Sequence, residues 1–156
     1  MTALNGVAPA VSTETSPFLQ AIVQQIRAND TFGTYRNWND DLLLKPYVIP
    51  KKERREITLD GAVDIATMSR ILAFYRAIAA RIEIETGQLA QVVLDINTEG
   101  FGWAIIFSGR LILVLKTIRD AHRFGFDTIE KLNAEGEKLI QKGVELAKAH
   151  AEVCDL

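Results

Sequence analysis

A short polar segment in the C-terminal half of the chain carries the residues best suited to chemistry. It holds two arginines, a carboxylate, one of the two histidines and two aromatic rings: Arg119, Asp120, His122, Arg123, Phe124 and Phe126. Connecting segments on a rigid scaffold often carry binding or catalytic residues. Guanidinium groups give fixed donors to an anion, and histidine exchanges protons near neutral pH. These six residues therefore form the candidate ligand- or partner-binding site.

Two other interpretations of this segment stay open. Charged loop residues usually remain solvated, in which case Phe124 and Phe126 only seal a core. Alternatively, His122 beside Asp120 could act as an acid-base group that the aromatic rings shield from water. No residue is assigned a catalytic role, because nothing else in the chain specifies a substrate.

Other kinds of site have little support in the sequence. There is no Gly-x-Ser-x-Gly motif for a nucleophile, and the segment Glu99-Gly100-Phe101-Gly102 has too few glycines for a phosphate-binding loop. His150 and Cys154 lie one helical turn apart, but a structural zinc site generally takes four protein ligands. We therefore expect no permanent metal. Transient holding of a cluster that brings its own inorganic ligands needs only one or two protein contacts.

Length and composition indicate one domain. The chain has 156 residues, is 48% hydrophobic and carries a formal net charge of -2, which argues against nucleic-acid binding through a strongly basic surface. Its single cysteine favours a reducing, cytoplasmic setting. Residues 1–15 have no signal-peptide pattern and are predicted to be a flexible tail, whereas residues 16–156 form the domain. No apolar run is long enough to span a membrane.

Helical patterns occur at both ends and in the centre of this domain. Ser16 and Pro17 suit the start of a first helix that ends near Asn29, and a short helix about 40–45 is followed by Pro46. A central helix is predicted over 62–86, with Gly87 after its last turn. A final helix is predicted from Asp127, whose carboxylate would cap it together with Glu130. Gly136 and Gly143 lie on or beside its buried face and suggest a close helix contact.

Between the central and final helices, the pattern changes to short β-rich runs. Residues 91–96, 101–107 and 111–116 are rich in Val, Ile, Leu and aromatic residues and are separated by turn sequences. They predict a three-stranded antiparallel meander at about 90–116. The predicted fold class is therefore α+β, with this meander packed against the N-terminal, central and C-terminal helices.

Four stretches carry a family resemblance. They read Gln-Ile-Arg-Ala-Asn-Asp-Thr-Phe-Gly-Thr at 25–34, Arg-Arg-Glu-Ile at 54–57, Glu-Gly-Phe-Gly at 99–102 with Gly-Arg-Leu at 109–111, and the segment 119–127. Together and in this order, over about residues 17 to 153, they resemble the NifX-associated nitrogen fixation proteins, a family described as a domain of unknown function. Family members tend to have a histidine before Glu-Gly-Phe-Gly and a basic residue after it, where this chain has Thr98 and Trp103.

The resemblance implies a role in nitrogenase biogenesis, in a cytoplasm that makes the iron-molybdenum cofactor, and implies no established reaction. With few metal ligands and a histidine among cations, the chain then fits an accessory protein that binds or chaperones better than an enzyme. A transient iron-sulfur or iron-molybdenum cluster is the expected ligand, and nitrogen-fixation proteins are the expected partners. The alternatives are a small enzyme with His122 as acid-base and a non-catalytic adaptor for such a partner.

The β-rich runs also predict a homodimer or a complex with a partner. From Phe101 to Leu115 nearly every position is apolar, which exceeds what one buried face requires. If a second copy covers this surface, light scattering of the purified protein should give twice the chain mass. A strict monomer whose strands are fully covered by its own helices would contradict the prediction.

Overall fold

The computed structural model describes residues 16–56, 65–97, 100–107, 110–118 and 124–154, with side chains described within 16–53, 66–67, 69–92 and 124–149. The helices in these ranges are α1 (Pro17–Ala28), α2 (Asp40–Leu44), α3 (Lys51–Glu56), α4 (Ile65–Thr86) and α5 (Ile129–Cys154). A 3-10 turn (Lys45–Tyr47) follows α2, and the strands β1 (Ala90–Asn97), β2 (Gly100–Phe107) and β3 (Arg110–Ile118) follow α4. The tail predicted at 1–15 lies outside the described residues.

The boundaries of α1 and α4 follow from local sequence chemistry. Ser16 caps α1, because its Oγ accepts a hydrogen bond from the Leu19 N–H at 3.2 Å, and Pro17 occupies the first helical position. At the end of α4, Gly87 adopts a φ of 72°, a left-handed conformation that glycine reaches without a Cβ penalty. Both boundaries were predicted from the sequence and are confirmed.

Three helices build most of the buried core. The apolar faces of α1, α4 and α5 pack against one another, and each contributes fully buried side chains, such as Ile22, Ile78 and Leu132. The described members of the core lie on helices or on the Lys45–Tyr47 turn, apart from Ala90 at the start of β1. The helices α1, α4 and α5 thus bury one another's apolar faces.

The predicted fold class, α+β with helices packed around the meander, is wrong for the part of the chain whose side chains are described. There, helix accounts for 71% of the residues and strand for 6%. The backbones of β1, β2 and β3 pair antiparallel in that order, with Leu94 opposite Trp103 and Ile105 opposite Leu113. The prediction gave the apolar strands the same weight as the helices. Among the side chains that the structure describes, the core is helical, because the amphipathic helices bury their apolar stripes against each other.

The start of α5 also differs from its prediction. Thr128 caps the helix, since its Oγ1 accepts a hydrogen bond from the Lys131 N–H at 3.1 Å. The Asp127 carboxylate instead accepts a hydrogen bond from the Lys51 N–H at 3.0 Å and pairs with Nζ of Lys131 at 3.2 Å. Asp127 therefore joins the start of α5 to the start of α3, through a hydrogen bond to a residue 76 positions away along the chain.

Gly136 lies where α5 passes closest to α1. A Cβ added at this position would overlap the ring of Phe18, a fully buried residue of α1. Near the same contact, Ser16 Oγ donates a hydrogen bond to Oδ1 of Asn133. Gly143, one heptad further along α5, is buried as well. The expected close helix contact is confirmed at Gly136.

Gly136→Ala should lower the free energy of unfolding by about 1 to 3 kcal/mol, because the new methyl group forces the Phe18 ring out of place. At an open helix position the same change would stabilise by roughly 1 kcal/mol. Ala134→Gly, at an exposed site of α5, measures that helix-propensity effect in the same helix. Denaturant unfolding of the three proteins decides, and an equal or higher stability for Gly136→Ala would contradict the close contact.

Candidate functional site

The structure describes two of the six candidate site residues. Phe124 and Phe126 are both half-buried and pack against the core. The polar candidates Arg119, Asp120, His122 and Arg123 lie outside the described residues. The two rings are brought together, with their centroids 5.4 Å apart.

The two rings belong to a larger group, which we call the Phe74 cluster. Its members are Phe18, Tyr47, Phe74, Tyr75, Phe124 and Phe126. Phe74 is its centre, only 1% exposed, with its ring centroid 5.3 Å from that of Phe124 and 5.5 Å from that of Phe126. Most of these pairs are edge-to-face, an arrangement worth about 0.5 to 1.5 kcal/mol per pair beyond the buried area. Phe124 and Phe126 therefore have a packing role, as one interpretation of the sequence expected.

Backbone hydrogen bonds fix the same segment. Phe126 forms a parallel bridge with Val48: its N–H donates to the Tyr47 carbonyl at 2.8 Å, and its carbonyl accepts from the Ile49 N–H at 2.9 Å. With the Asp127 contact to Lys51, residues 124–127 are joined to 47–51 by side chains and backbone together. The chain directly after Arg123 is thus held rigidly.

Tyr47 places a buried hydroxyl beside this segment. The side chain is 1% exposed, its ring centroid lies 6.2 Å from that of Phe124, and its Oη donates a hydrogen bond to the Arg70 carbonyl at 3.0 Å. Burial raises the pKa of Tyr47 well above its ordinary value, and the Arg70 guanidinium opposes that shift only in part. The phenol is therefore neutral at physiological pH and serves as a hydrogen-bond donor.

Arg70 is a charged residue next to the cluster that sequence reasoning missed. One terminal guanidinium nitrogen donates to Oγ1 of the buried Thr67 at 3.1 Å, while its Nε is buried and has no hydrogen-bond partner. Leaving a buried donor unpaired costs roughly 1 to 3 kcal/mol. The only sequence signal was its place directly before the apolar residue Ile71, which put a charge at the edge of the buried stripe.

The described side chains offer few metal ligands in one place. Among them, no group of three or more His, Cys, Asp or Glu residues is arranged to hold a metal ion. The side chains of His150 and Cys154 fall outside them. The described part of the site therefore consists of packed aromatic rings, with the Tyr47 hydroxyl and Arg70 next to them.

Comparison with known proteins identifies the family. A family model described as "Protein of unknown function, DUF269" matches residues 35–155. The chain belongs to the DUF269 family. A DUF269 relative from Frankia alni, named "UPF0460 protein in nifX-nifW intergenic region", is 41% identical over 141 residues, covering 90% of this chain and 96% of the relative. Another from Rhodobacter capsulatus, "UPF0460 protein in nifX 3'region", is 37% identical over 129 residues, or 83% of each chain.

A solved structure agrees with this assignment. The crystal structure of a protein from the cyanobacterium Cyanothece 51142, described as associated with nitrogen fixation and from the DUF269 family, is 54% identical to this chain. The two superpose with a TM-score of 0.83 over 92% of this chain and 95% of the other. The resemblance to nitrogen-fixation-associated proteins is thus confirmed at the level of the family.

Among the helices in the described parts of the chain, none combines the length and the apolar character that crossing a bilayer demands.

Tyr75 allows the burial of the cluster to be tested by pH. Burial, reinforced by the Glu135 carboxylate, raises the pKa of Tyr75 to about 12. An unfolded chain releases this proton near pH 10. Between about pH 10 and pH 12 the unfolded state therefore binds fewer protons than the folded state, and stability falls as pH rises.

Tyr75→Phe should remove this part of the alkaline loss, so its stability should decline less than that of the parent protein across that window. Tyr35→Phe, outside the cluster, is the control for loss of a phenol. Denaturant midpoints measured at several pH values give the comparison. Parallel declines of the parent and Tyr75→Phe would contradict the effect of burial.

Proposed function

We propose that this DUF269 protein is a nitrogen-fixation accessory protein that holds an anionic iron-sulfur or iron-molybdenum cluster during nitrogenase cofactor assembly in the cytoplasm. The cluster is cargo and not a resident cofactor. The relatives named for nifX regions support the pathway. The chemistry of Arg119, His122 and Arg123 supports the choice of an anion as ligand.

The observation that carries the proposal is the anchoring of Phe124 and Phe126. Two cations and a histidine precede an aromatic pair that is packed on Phe74 and hydrogen-bonded to residues 47 and 49. Binding costs less when the groups next to the ligand are already ordered, because less conformational entropy is lost. The polar residues 119–123 lead directly into this anchored aromatic pair, which suits them to ligand binding.

Binding also accounts for the residues better than catalysis does. The described side chains around Phe124 supply apolar packing, the neutral phenol of Tyr47 and the guanidinium of Arg70. Charge-assisted hydrogen bonds from guanidinium groups are stronger than neutral ones and need no proton transfer. Partner nitrogen-fixation proteins would deliver or accept the cluster.

Replacing both arginines tests the proposal. Arg119→Ala combined with Arg123→Ala should leave the melting temperature nearly unchanged and weaken binding of isolated iron-molybdenum cofactor by roughly two to four orders of magnitude, since each contact contributes about 1.5 to 3 kcal/mol. Anaerobic equilibrium dialysis with iron and molybdenum analysis measures this. His122→Ala should weaken binding less. If the imidazolium binds, the affinity of the parent protein should fall as pH rises through the histidine titration.

The control removes two cations elsewhere. Lys138→Ala with Lys142→Ala, both exposed on α5, changes net charge by the same amount and should leave retention intact. Molybdate as a simple oxyanion separates cluster binding from general anion binding. A double arginine variant that retains the cluster, or that unfolds while Lys138→Ala with Lys142→Ala does not, would contradict the proposal.

A further inference from the structure

The loop between α1 and α2 is built around one carboxylate. Asp30 accepts hydrogen bonds from the Thr34 N–H at 2.8 Å and the Tyr35 N–H at 2.9 Å, one on each oxygen. Gly33 adopts a φ of 69°, and its N–H donates to the Asp30 carbonyl at 3.2 Å. These contacts close the loop tip into a defined turn, and Tyr35 packs the end of that turn against the core.

This rigid loop presents aromatic side chains to solvent. Phe32 is 92% exposed at the tip, and Trp38 is 39% exposed at the end of the loop. The Trp38 ring is held edge-to-face against Tyr35, with centroids 4.9 Å apart, and its carbonyl accepts from an Arg27 Nη2 at 2.9 Å. Leu42 on α2 is 45% exposed. An ordered, almost fully exposed phenylalanine loses hydrophobic stabilisation that a binding partner can restore.

The charges of the loop leave one cation available. Arg27 is paired with Asp40 at 3.0 Å, and the Asp30 carboxylate is occupied by the two backbone N–H groups. Arg36 is exposed, and within the described parts of the chain it makes no ion pair. A Cβ added at Gly33 would lie 2.7 Å from Nη2 of Arg36, which places the guanidinium over Gly33 at the loop tip, one position along the chain from Phe32.

We propose that the Asp30–Trp38 loop docks a partner protein through a pocket that receives the Phe32 ring and a carboxylate that pairs with Arg36. Aromatic residues and arginine dominate the binding energy of protein interfaces, and here a rigid loop presents both. This surface is separate in sequence from 119–126, so the inference goes beyond cluster binding and does not depend on it. The occupant is a protein of complementary charge, with an acidic group at the rim of an apolar pocket.

Charge argues against two other occupants. A symmetric contact with the loop tip on the two-fold axis would bring Arg36 close to the Arg36 of the other copy. An anionic membrane surface would meet Asp40 and Asp41 in the first turn of α2, next to the exposed Leu42. A single carboxylate on a protein partner can pair with Arg36 at the loop tip, whereas a continuous anionic surface would also extend over Asp40 and Asp41.

Site-specific photocrosslinking in a nitrogen-fixing host tests the proposal. A benzophenone amino acid at position 32 should crosslink the full-length protein to a second protein, whereas the same group at Ile84, a site on α4 that is 76% exposed, should not. Arg36→Glu should lower the yield at position 32 at least tenfold, and Arg36→Lys should retain most of it. With the captured protein purified, Phe32→Ala should weaken direct binding at least tenfold without changing the melting temperature, because the ring is exposed.

Several results would overturn the proposal: no adduct above the Ile84 control, an adduct with the chain's own copy, or an adduct that is insensitive to Arg36→Glu. Co-flotation with phosphatidylglycerol vesicles that Phe32→Ala abolishes would assign the loop to a membrane and would also overturn it. Iron and molybdenum retention by Phe32→Ala should match that of the parent protein. That measurement separates a failure of this inference from a failure of cluster binding.

Discussion

Edge-to-face packing on the buried ring of Phe74 is the contact that the rest of this molecule depends on. The ring meets Phe18 from α1, its neighbour Tyr75 on α4, and Phe124 and Phe126 from the segment before α5. Three parts of the chain that are distant in sequence therefore share one set of aromatic faces. The Phe126 ring is tilted by 32° and the others are close to perpendicular, as expected because aromatic quadrupoles disfavour a face-to-face sandwich.

Polar groups around this cluster are arranged to keep it apolar. The Tyr47 hydroxyl donates its hydrogen bond to the Arg70 carbonyl of α4. The phenol stays neutral because burial raises its pKa. Arg70 bonds Thr67 with one nitrogen and leaves Nε unpaired. The protein thus accepts a local energetic cost at one guanidinium beside the aromatic cluster.

The sequence predicted helix ends better than it predicted contacts between distant segments. Ser16-Pro17 and Gly87 determine helix ends through their own backbone and side-chain chemistry, so they could be found without tertiary information. Phe74 lies on the predicted central helix. Its place at the centre of the aromatic cluster depends on rings from distant segments, which the sequence alone does not bring together. Asp127 was predicted to cap its own helix, whereas the neighbouring Thr128 does so and Asp127 bonds Lys51. The apolar strands suggested an α+β fold with a meander packed against helices, yet the core that the structure describes lies between helices. Of the candidate site, pattern alone identified the two phenylalanines, but it could not find Tyr47 and Arg70, because their proximity exists only in the folded chain.

The joining of residues 47–51 to 124–127 has a kinetic consequence. The hydrogen bond between Lys51 and Asp127 spans 76 positions along the chain. Closing so long a loop carries a large entropic cost, and contacts of high sequence separation slow folding. The contact of α1 with α5 closes a still longer loop, since Ser16 and Asn133 are 117 positions apart. A chain under synthesis can form its early helices from local contacts, but the corner next to the candidate site and the α1–α5 contact both have to wait until the C-terminal segment has been made.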